Sequence, residues 1–157
     1  MMGRTHLAIG LLVALLLLPF VSADRAILFV LLVLAGAILP DIDHGGSMIN
    51  NLLPITKVVP WFFAHRGFFH SVFPPLIIYG LTAWLGAAWV GVYIAIGYIS
   101  HLASDACTHL GVNLLHPLSR FQIKGFMRTG GIAEFFVFIL VVALDALVAV
   151  GRLVTFK

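Results

Sequence analysis

The sequence is poor in charge, because Asp, Glu, Lys and Arg make up only 10% of its 157 residues while 62% are hydrophobic. A soluble domain carries charge on roughly a quarter of its residues, so the composition excludes an ordinary soluble protein and indicates an integral membrane protein. The basic residues form no run, so nucleic-acid binding is not implied. The single cysteine, Cys107, excludes an internal disulfide. The length suits one domain, 1–157.

Apolar segments of nearly membrane-spanning length recur along the chain, and a spanning helix needs about 20 apolar residues. A further segment, 45–63, contains Pro54 and Pro60 and is too broken for a span, so we predict an interfacial or re-entrant piece there. The pattern predicts an all-α integral membrane protein with about five transmembrane helices. The predicted spans are 7–21, 26–39, from 68 or 72 to 85, from a turn at 86–89 to 105, and 132–150.

Five spans place the N-terminus and the loops 41–71 and 106–131 on one side of the membrane. That side holds six of the nine Lys and Arg residues, so the positive-inside rule predicts that it is cytoplasmic and that the protein is a multi-pass plasma (inner) membrane protein. All His, Asp and Glu residues except Asp24 and Asp145 fall on the same side. An alternative is a cleaved signal peptide over 7–23, but a second apolar run follows at once, which favours retention.

Two motifs offer metal-binding side chains at the ends of predicted spans. His101 and Asp105 are four residues apart and share one helix face, so both can reach one cation; alternatively, Asp105 only orients a buried His101. Asp41 and Asp43 follow Pro40 where the second span ends, and acids there oppose the helix dipole, which indicates a nearby cation. In an extended strand these two acids would point to opposite faces, so both reach one site only if the backbone turns.

His65 and His70 flank Arg66 at the mouth of the third span, and a spacing of five is not a shared helix face. The planar fork of Arg66 suits a phosphate; alternatively, it is a charge that sets topology. His6 and Glu134 lie in the first turns of spans on the same side. His109 and His116, in the polar loop, are expected at the surface, and His44 is ambiguous.

A mixed set of imidazoles and carboxylates suits zinc, and also manganese or iron. The set is too large for one tetrahedral site, whereas two ions about 3.5–4 Å apart that clamp a phosphoester would use all of it. We therefore predict a site at one membrane face for two divalent metal ions, with zinc as the first candidate. The predicted ligands are His6, Asp41, Asp43, His65, His70, His101, Asp105 and Glu134.

These motifs, taken in order along nearly the whole chain, resemble the YdjM-type family. The resemblance rests on Thr5-His6, the Leu39–His44 run, His65-Arg66-Gly67 with His70-Ser71, Gly97–His101 with Asp105, Gly111–Pro117 and Glu134. That family is described as LexA-regulated, inner-membrane, metal-dependent hydrolases, distantly similar to helical zinc-dependent phospholipase C enzymes. Phe69 stands where the family usually has Thr, which removes a hydroxyl near the site but no predicted ligand.

The residues and the resemblance together imply a membrane-bound metal-dependent hydrolase that acts on a membrane lipid or small phosphoester. Asp43 or Glu134 would be the general base, and Arg66 with Lys124 or Arg128 would hold the anion. A second interpretation is a non-catalytic protein that senses or transports a metal, although only Asp145 lies deeper in the fifth span. A third is a structural protein whose cluster ties helix ends together.

Overall fold

The computed structural model describes residues 1–62 and 66–155 and is all-helical over them, without a strand. Two isolated bridges, Thr108–Met127 and Val112–Ile123, pin the loop between the last two helices. This confirms the predicted helical class. His65 lies outside the described residues. The helices are α1 Gly3–Leu17, α2 Ala26–Ile38, α3 Met48–Leu52, α4 Val59–Phe62, α5 Phe73–Trp84, α6 Ala88–Ala106 and α7 Ile132–Thr155.

Three helical stretches of the described chain are long and apolar enough to cross a membrane: Gly3–Phe20, Ala23–Asp43 and Ile132–Arg152. They coincide with the first, second and fifth predicted spans. α5 is apolar but has 12 residues, about 18 Å of helix, which is less than the roughly 30 Å of a hydrocarbon core. α6 has 19 residues but carries buried His101 and Asp105 near its end. The count of five spans therefore stays a prediction.

The backbones of α2 and α6 touch at two glycines. A Cβ atom on Gly97 would overlap the carbonyl oxygen of Val33, and one on Gly36 would overlap the carbonyl of Ile94. Small residues allow such close approach of helices in lipid, where packing rather than water exclusion drives association. Phe29 and Val33 are buried beside this contact. The consequence is that the end of α2 is held against the polar end of α6.

The other helices surround this pair. α1 packs on α2, on α6 and on α7, while α5 packs on α6 after the short turn at Gly86. α7 packs mainly on α1 and so lies at the edge of the bundle. The loop that follows α2 begins with a 3-10 turn, Leu39–Asp43, and α3 and α4 continue it. This arrangement brings the starts of α1 and α7 to the same end as the last turn of α6.

The α2–α6 contact makes a direct prediction about stability. Gly97→Ala should lower the free energy of unfolding by about 1–3 kcal/mol, because an added methyl must push the two backbones apart. Gly80→Ala is the matched control: Gly80 is also in a helix, but nothing lies within 4 Å of a Cβ placed there. Thermal unfolding in detergent would measure both. Equal midpoints for the two variants would contradict the close contact.

Candidate metal centre

The predicted ligands that the structure describes come mostly to one place, where four elements meet. His6 comes from the first turns of α1, and His101 and Asp105 from the last turns of α6. Asp41 lies in the 3-10 turn after α2, and His70 ends a second 3-10 turn, Phe68–His70. The 3-10 turn brings Asp41, but not Asp43, towards the Nε2 atoms: Asp41 Oδ1 lies 3.8 Å from Nε2 of both His70 and His101.

The cluster is almost completely shielded from solvent. His6, His70, His101 and Asp105 are each 1% exposed or less, and the Asp41 side chain, at 14%, is the one that reaches the surface. Buried ionisable groups are costly unless hydrogen bonds and opposite charges compensate them. The partners of each group therefore decide what the cluster can hold.

The Nδ1 atoms of His70 and His101 point away from the centre of the cluster. His101 Nδ1 lies 2.8 Å from the carbonyl oxygen of Ala37, which can only accept. His70 Nδ1 lies 3.1 Å from Asp43 Oδ2. Each Nδ1 therefore donates, and in a neutral imidazole this leaves the Nε2 lone pair towards the centre. Fixing a histidine tautomer through a carbonyl or carboxylate behind it is typical of metal-binding histidines.

The His6 ring is oriented by a hydrogen bond from its Nδ1 to a serine hydroxyl. The Ser104 hydroxyl donates to the carbonyl of His101 at 2.8 Å, so its oxygen can only accept from His6 Nδ1, 2.9 Å away. In a neutral His6 ring, Nε2 then carries the lone pair. It is buried, has no hydrogen-bond partner within residues 1–62 and 66–155, and lies 3.4 Å from Asp105 Oδ1. A buried nitrogen left without a partner beside a carboxylate fits a bound cation.

The Nε2 atoms and the carboxylates converge. Nε2 of His70 and of His101 are 3.4 Å apart, and the His6 and His101 rings stack at 3.7 Å. If both rings are neutral with protonated Nδ1 atoms, two lone pairs face each other at that distance, and a cation between them would remove the repulsion. Two sets of ligand atoms, each within 4.8 Å, meet at His101: His6–Asp41–His101 and His70–His101–Asp105. This buried nitrogen and oxygen donor set could hold a divalent ion such as zinc, manganese or iron.

Arg66 neutralises Asp105. Its Nη2 lies 2.8 Å from Asp105 Oδ2, and its Nη1 donates to the Gly111 carbonyl at 2.7 Å and to the Thr108 hydroxyl at 3.1 Å. Arg66 has a positive φ of 61°, uncommon for a side-chain-bearing residue, and its backbone N–H donates to Asp43 Oδ2 at 3.1 Å. The amino group of Met1 also pairs with Asp105. Two positive groups therefore compensate the Asp105 carboxylate.

Glu134 belongs to neither set of ligand atoms. Its carboxylate accepts hydrogen bonds from the Met2 N–H at 2.6 Å, the Thr5 hydroxyl at 2.8 Å and the Gly130 N–H at 2.7 Å. These contacts tie the start of α1 to the start of α7. Asp43 similarly lies behind His70, on its Nδ1 side. Their predicted roles as ligands and general bases stay predictions.

The remaining sequence predictions concern side chains at the periphery of the cluster. His109 is exposed and His116 is half-buried, and Lys124 and Arg128 are exposed. The alternative in which Asp105 orients His101 does not match the geometry, because the Ala37 carbonyl has that role and Asp105 Oδ2 is 3.9 Å from His101 Nε2.

Sequence reasoning missed the groups that orient the histidines. Ser104 could have been identified from the sequence, because it lies three residues after His101 and therefore on the same helix face. The Ala37 carbonyl could not have been identified in this way, because the spacing of side chains does not reveal which backbone carbonyl accepts a hydrogen bond. Thr108, which accepts from Arg66 and donates to the Asp105 carbonyl at 2.8 Å, was also missed.

A cavity of about 440 Å³ opens beside the cluster. Asp41 and Arg66 line it, together with Met1, Ser47 and Met48. The partly exposed carboxylate of Asp41 is therefore shared between the buried histidines and a space large enough for a small polar group. This is the route by which a molecule from outside can approach the cluster.

Comparisons with known proteins agree on a family. A sequence model described as YdjM inner membrane protein matches residues 1–156. The uncharacterized protein YvsG of Bacillus subtilis (strain 168) is 38% identical over 102 residues, 63% of this chain and 64% of that protein. The inner membrane proteins YdjM of Escherichia coli (strain K12) and Shigella flexneri are each 39% identical over 90 residues, 51% of this chain and 44% of theirs. The chain thus spans less than two thirds of these relatives. No solved structure matches it significantly.

The cluster geometry predicts which substitutions remove metal. His101→Ala and Asp105→Ala should each lower metal content, because His101 belongs to both sets of ligand atoms and Asp105 to one of them. His109→Ala is the control, since His109 is an exposed histidine eight residues further along the chain. Elemental analysis of detergent-purified protein would measure the stoichiometry. Full metal content and unchanged thermal stability in both cluster variants would refute the assignment.

Proposed function

This chain belongs to the YdjM inner membrane protein family, and we propose that it is a metal-dependent hydrolase of a phosphoester, built as a single membrane-embedded domain. The observation that carries the proposal is the convergence of His6, His70 and His101 Nε2 atoms with the carboxylates of Asp41 and Asp105 at one end of the bundle. Isolated polar residues at helix ends have no need of fixed tautomers, whereas metal ligands do.

The chain's own residues would hold the metal and leave one side of it accessible. His6, His70 and His101 supply nitrogen donors, and Asp41 and Asp105 supply oxygen donors. Divalent ions in such hydrolases acidify water and offset negative charge on phosphoryl oxygens. Asp41, at the wall of the cavity, is the donor that faces both the cluster and an incoming substrate.

Arg66 and Asp43 have positioning roles in this proposal. Arg66 holds Asp105 and the loop around Thr108 and Gly111, so its guanidinium organises the site before it meets any phosphate. Asp43 accepts from both His70 and the Arg66 backbone, so it links the two sides of the cluster. Asp43 is also one of the two predicted general bases, together with Glu134.

The surroundings of the cavity favour a lipid as the source of the phosphoester. The segment that continues from Ser47 and Met48 exposes Leu52, Ile55, Trp61 and Phe62. Exposed large apolar side chains next to membrane helices are typical of the lipid interface. A lipid lying in that interface would have its head group level with the cavity. If the substrate were a soluble phosphodiester, these apolar side chains would serve only to anchor the protein at the interface.

The hydrolase proposal predicts metal-dependent turnover that falls in Asp43→Asn. Neutralising the carboxylate behind His70 should reduce turnover by roughly 10–100-fold, the usual cost of losing an orienting partner. Purified protein loaded with zinc or manganese would be assayed on mixed lipid phosphoesters. Asp24→Asn is the control, because Asp24 is an exposed acid in the turn before α2. Absence of turnover with every metal, or equal turnover by wild type and Asp43→Asn, would count against catalysis.

A non-catalytic metal-binding protein is the second candidate. The three histidines are buried, and the Arg66 guanidinium is already bonded to Asp105, Thr108 and Gly111. Sites in which protein side chains complete the coordination of the ion are typical of structural metals. Metal that is retained at full stoichiometry by a protein without any phosphoesterase activity would favour this candidate.

We also propose that the N-terminus and the cluster face the cytoplasm, on the basis of the six basic residues on that side. A reporter fused after Lys157 should then report an external location, and one inserted at Arg120 in the exposed loop should report the cytoplasm. The paired fusions test orientation and span number together. A cytoplasmic reporter at both positions would overturn the five-span topology.

A further inference from the structure

The loop between α6 and α7 carries a positive charge that no acid within it offsets. Between Asp105 and Glu134 the sequence has no Asp or Glu. The basic residues of the loop are Arg120, Lys124 and Arg128, and all three are exposed. None of them forms an ion pair within residues 1–62 and 66–155. An unbalanced surface charge of this kind favours an anionic partner.

The same loop exposes large apolar side chains. Leu118, Phe121 and Phe126 are 79%, 74% and 81% exposed. A single exposed apolar residue is normal on a protein surface, but three of them within one short segment, interspersed with basic residues, indicate an interaction site. The partner of this loop should therefore offer both negative charge and apolar contact.

One arm of the loop, 124–128, has an inward side that packs on the chain after α6. Met127 is buried, and its N–H donates to the Cys107 carbonyl at 3.1 Å. A Cβ atom on Gly125 would overlap the backbone of Cys107 as well. Positions 125 and 127 therefore both face inward, as alternate residues of an extended segment do.

The outward side of the arm consists of Lys124, Phe126 and Arg128, which alternate with the inward positions and are all exposed. One aromatic ring thus lies between two basic side chains. Aromatic residues are enriched at the head-group level of membranes. Long basic side chains can lay their stems along apolar surface while their charged ends stay in a polar layer. This combination fits an anionic phospholipid surface, where phosphate and apolar depth are adjacent.

The arm is held close to the membrane end of two helices. Gly125 N–H donates to the Thr108 carbonyl at 3.0 Å, just after α6 ends. On the other side, Arg128 lies four residues before Ile132, where the candidate span of α7 begins. Four residues of chain reach at most about 14 Å. The arm is therefore within reach of the head-group layer that this span enters.

We propose that the outward side of 124–128 binds anionic phospholipid, with the Phe126 ring in the head-group layer and Lys124 and Arg128 against lipid phosphates. This surface is separate from the cavity beside the cluster, because none of these three side chains is among the described residues that line that cavity. A lipid is favoured over an acidic protein because the arm is tethered beside a membrane helix. The contact would hold this end of the bundle against the leaflet without any metal or catalysis.

Fluorescence quenching at position 122 measures which lipid the surface contacts. Gln122→Cys in a Cys107→Ser background gives one labelling position, which is exposed and two residues before Lys124. The labelled full-length protein would be reconstituted in vesicles of phosphatidylcholine mixed with phosphatidylglycerol, in which one lipid or the other carries a nitroxide high on its acyl chain. We expect stronger quenching by the glycerol lipid. The difference should shrink as salt is raised, because salt screens the charges.

Three substitutions separate the charged part of the contact from the apolar part. Lys124→Gln and Arg128→Gln should each lower the preference for the glycerol lipid by roughly three- to five-fold, the contribution of one basic residue near an anionic surface. Phe126→Ser should lower quenching by both lipids. Arg25→Gln is the matched control, because Arg25 is a basic residue in the turn before α2. Its loss should leave the preference unchanged.

Three results would overturn the proposal: no quenching by either lipid, equal quenching by both lipids without substitution in the arm, or a preference that survives the loss of both Lys124 and Arg128. An acidic protein as the occupant would give the first of these results. The substituted side chains are exposed, so the variants should fold, and the salt series needs no substitution at 124–128. Metal-free protein gives the same measurement, so this proposal and the hydrolase proposal can fail separately.

Discussion

The contact between the backbones of α2 and α6 is the constraint on which the rest of the structure depends. Gly36 and Gly97 let the two helices touch, and the last turn of α2 is thereby held where the Ala37 carbonyl accepts from His101 Nδ1. The same contact starts the 3-10 turn of Asp41 and Asp43 beside the end of α6. A cluster of this kind needs atoms placed to a fraction of an ångström, and rigid helix packing supplies that placement better than loops do.

The buried carboxylate charges of the cluster are compensated in part by positively charged groups beside it. Asp41, Asp43 and Asp105 bring negative charge to a buried place, while the histidines offer lone pairs rather than protons to its centre. Arg66 and the Met1 amino group both pair with Asp105 and offset its charge, which leaves the charges of Asp41 and Asp43. What remains is a nitrogen and oxygen cage that favours a cation, in an environment of low dielectric where such preferences are strong.

Two ionisable regions of the molecule differ in how completely they are satisfied. At the helix ends nearly every buried polar atom has a partner, with His6 Nε2 as an exception that faces Asp105. Within the span of α7, Asp145 has no such network and faces an apolar groove. The first arrangement suits an inward-facing site for a small ion, whereas the second leaves a buried carboxyl among apolar side chains. Both are subject to the same constraint: in the hydrocarbon of a membrane no water is available, so a polar group can be satisfied only by other polar groups.

The sequence by itself determined the membrane class, the helical fold and most of the residues in the cluster. The length of the apolar segments indicates membrane helices, and the four-residue spacing of His101 and Asp105 places both on one helix face. It could not distinguish Asp43, which supports His70, from Asp41, which faces the centre, since two acids two residues apart read alike until a 3-10 turn separates them. Glu134 appeared equivalent to the other acids, yet it binds backbone and hydroxyl groups at the start of two helices. Arg66 appeared free to hold a phosphate, yet a left-handed backbone turns it onto Asp105. Tertiary structure decided these assignments, because the partner of a polar group is set by which helices pack together and not by its neighbours along the chain.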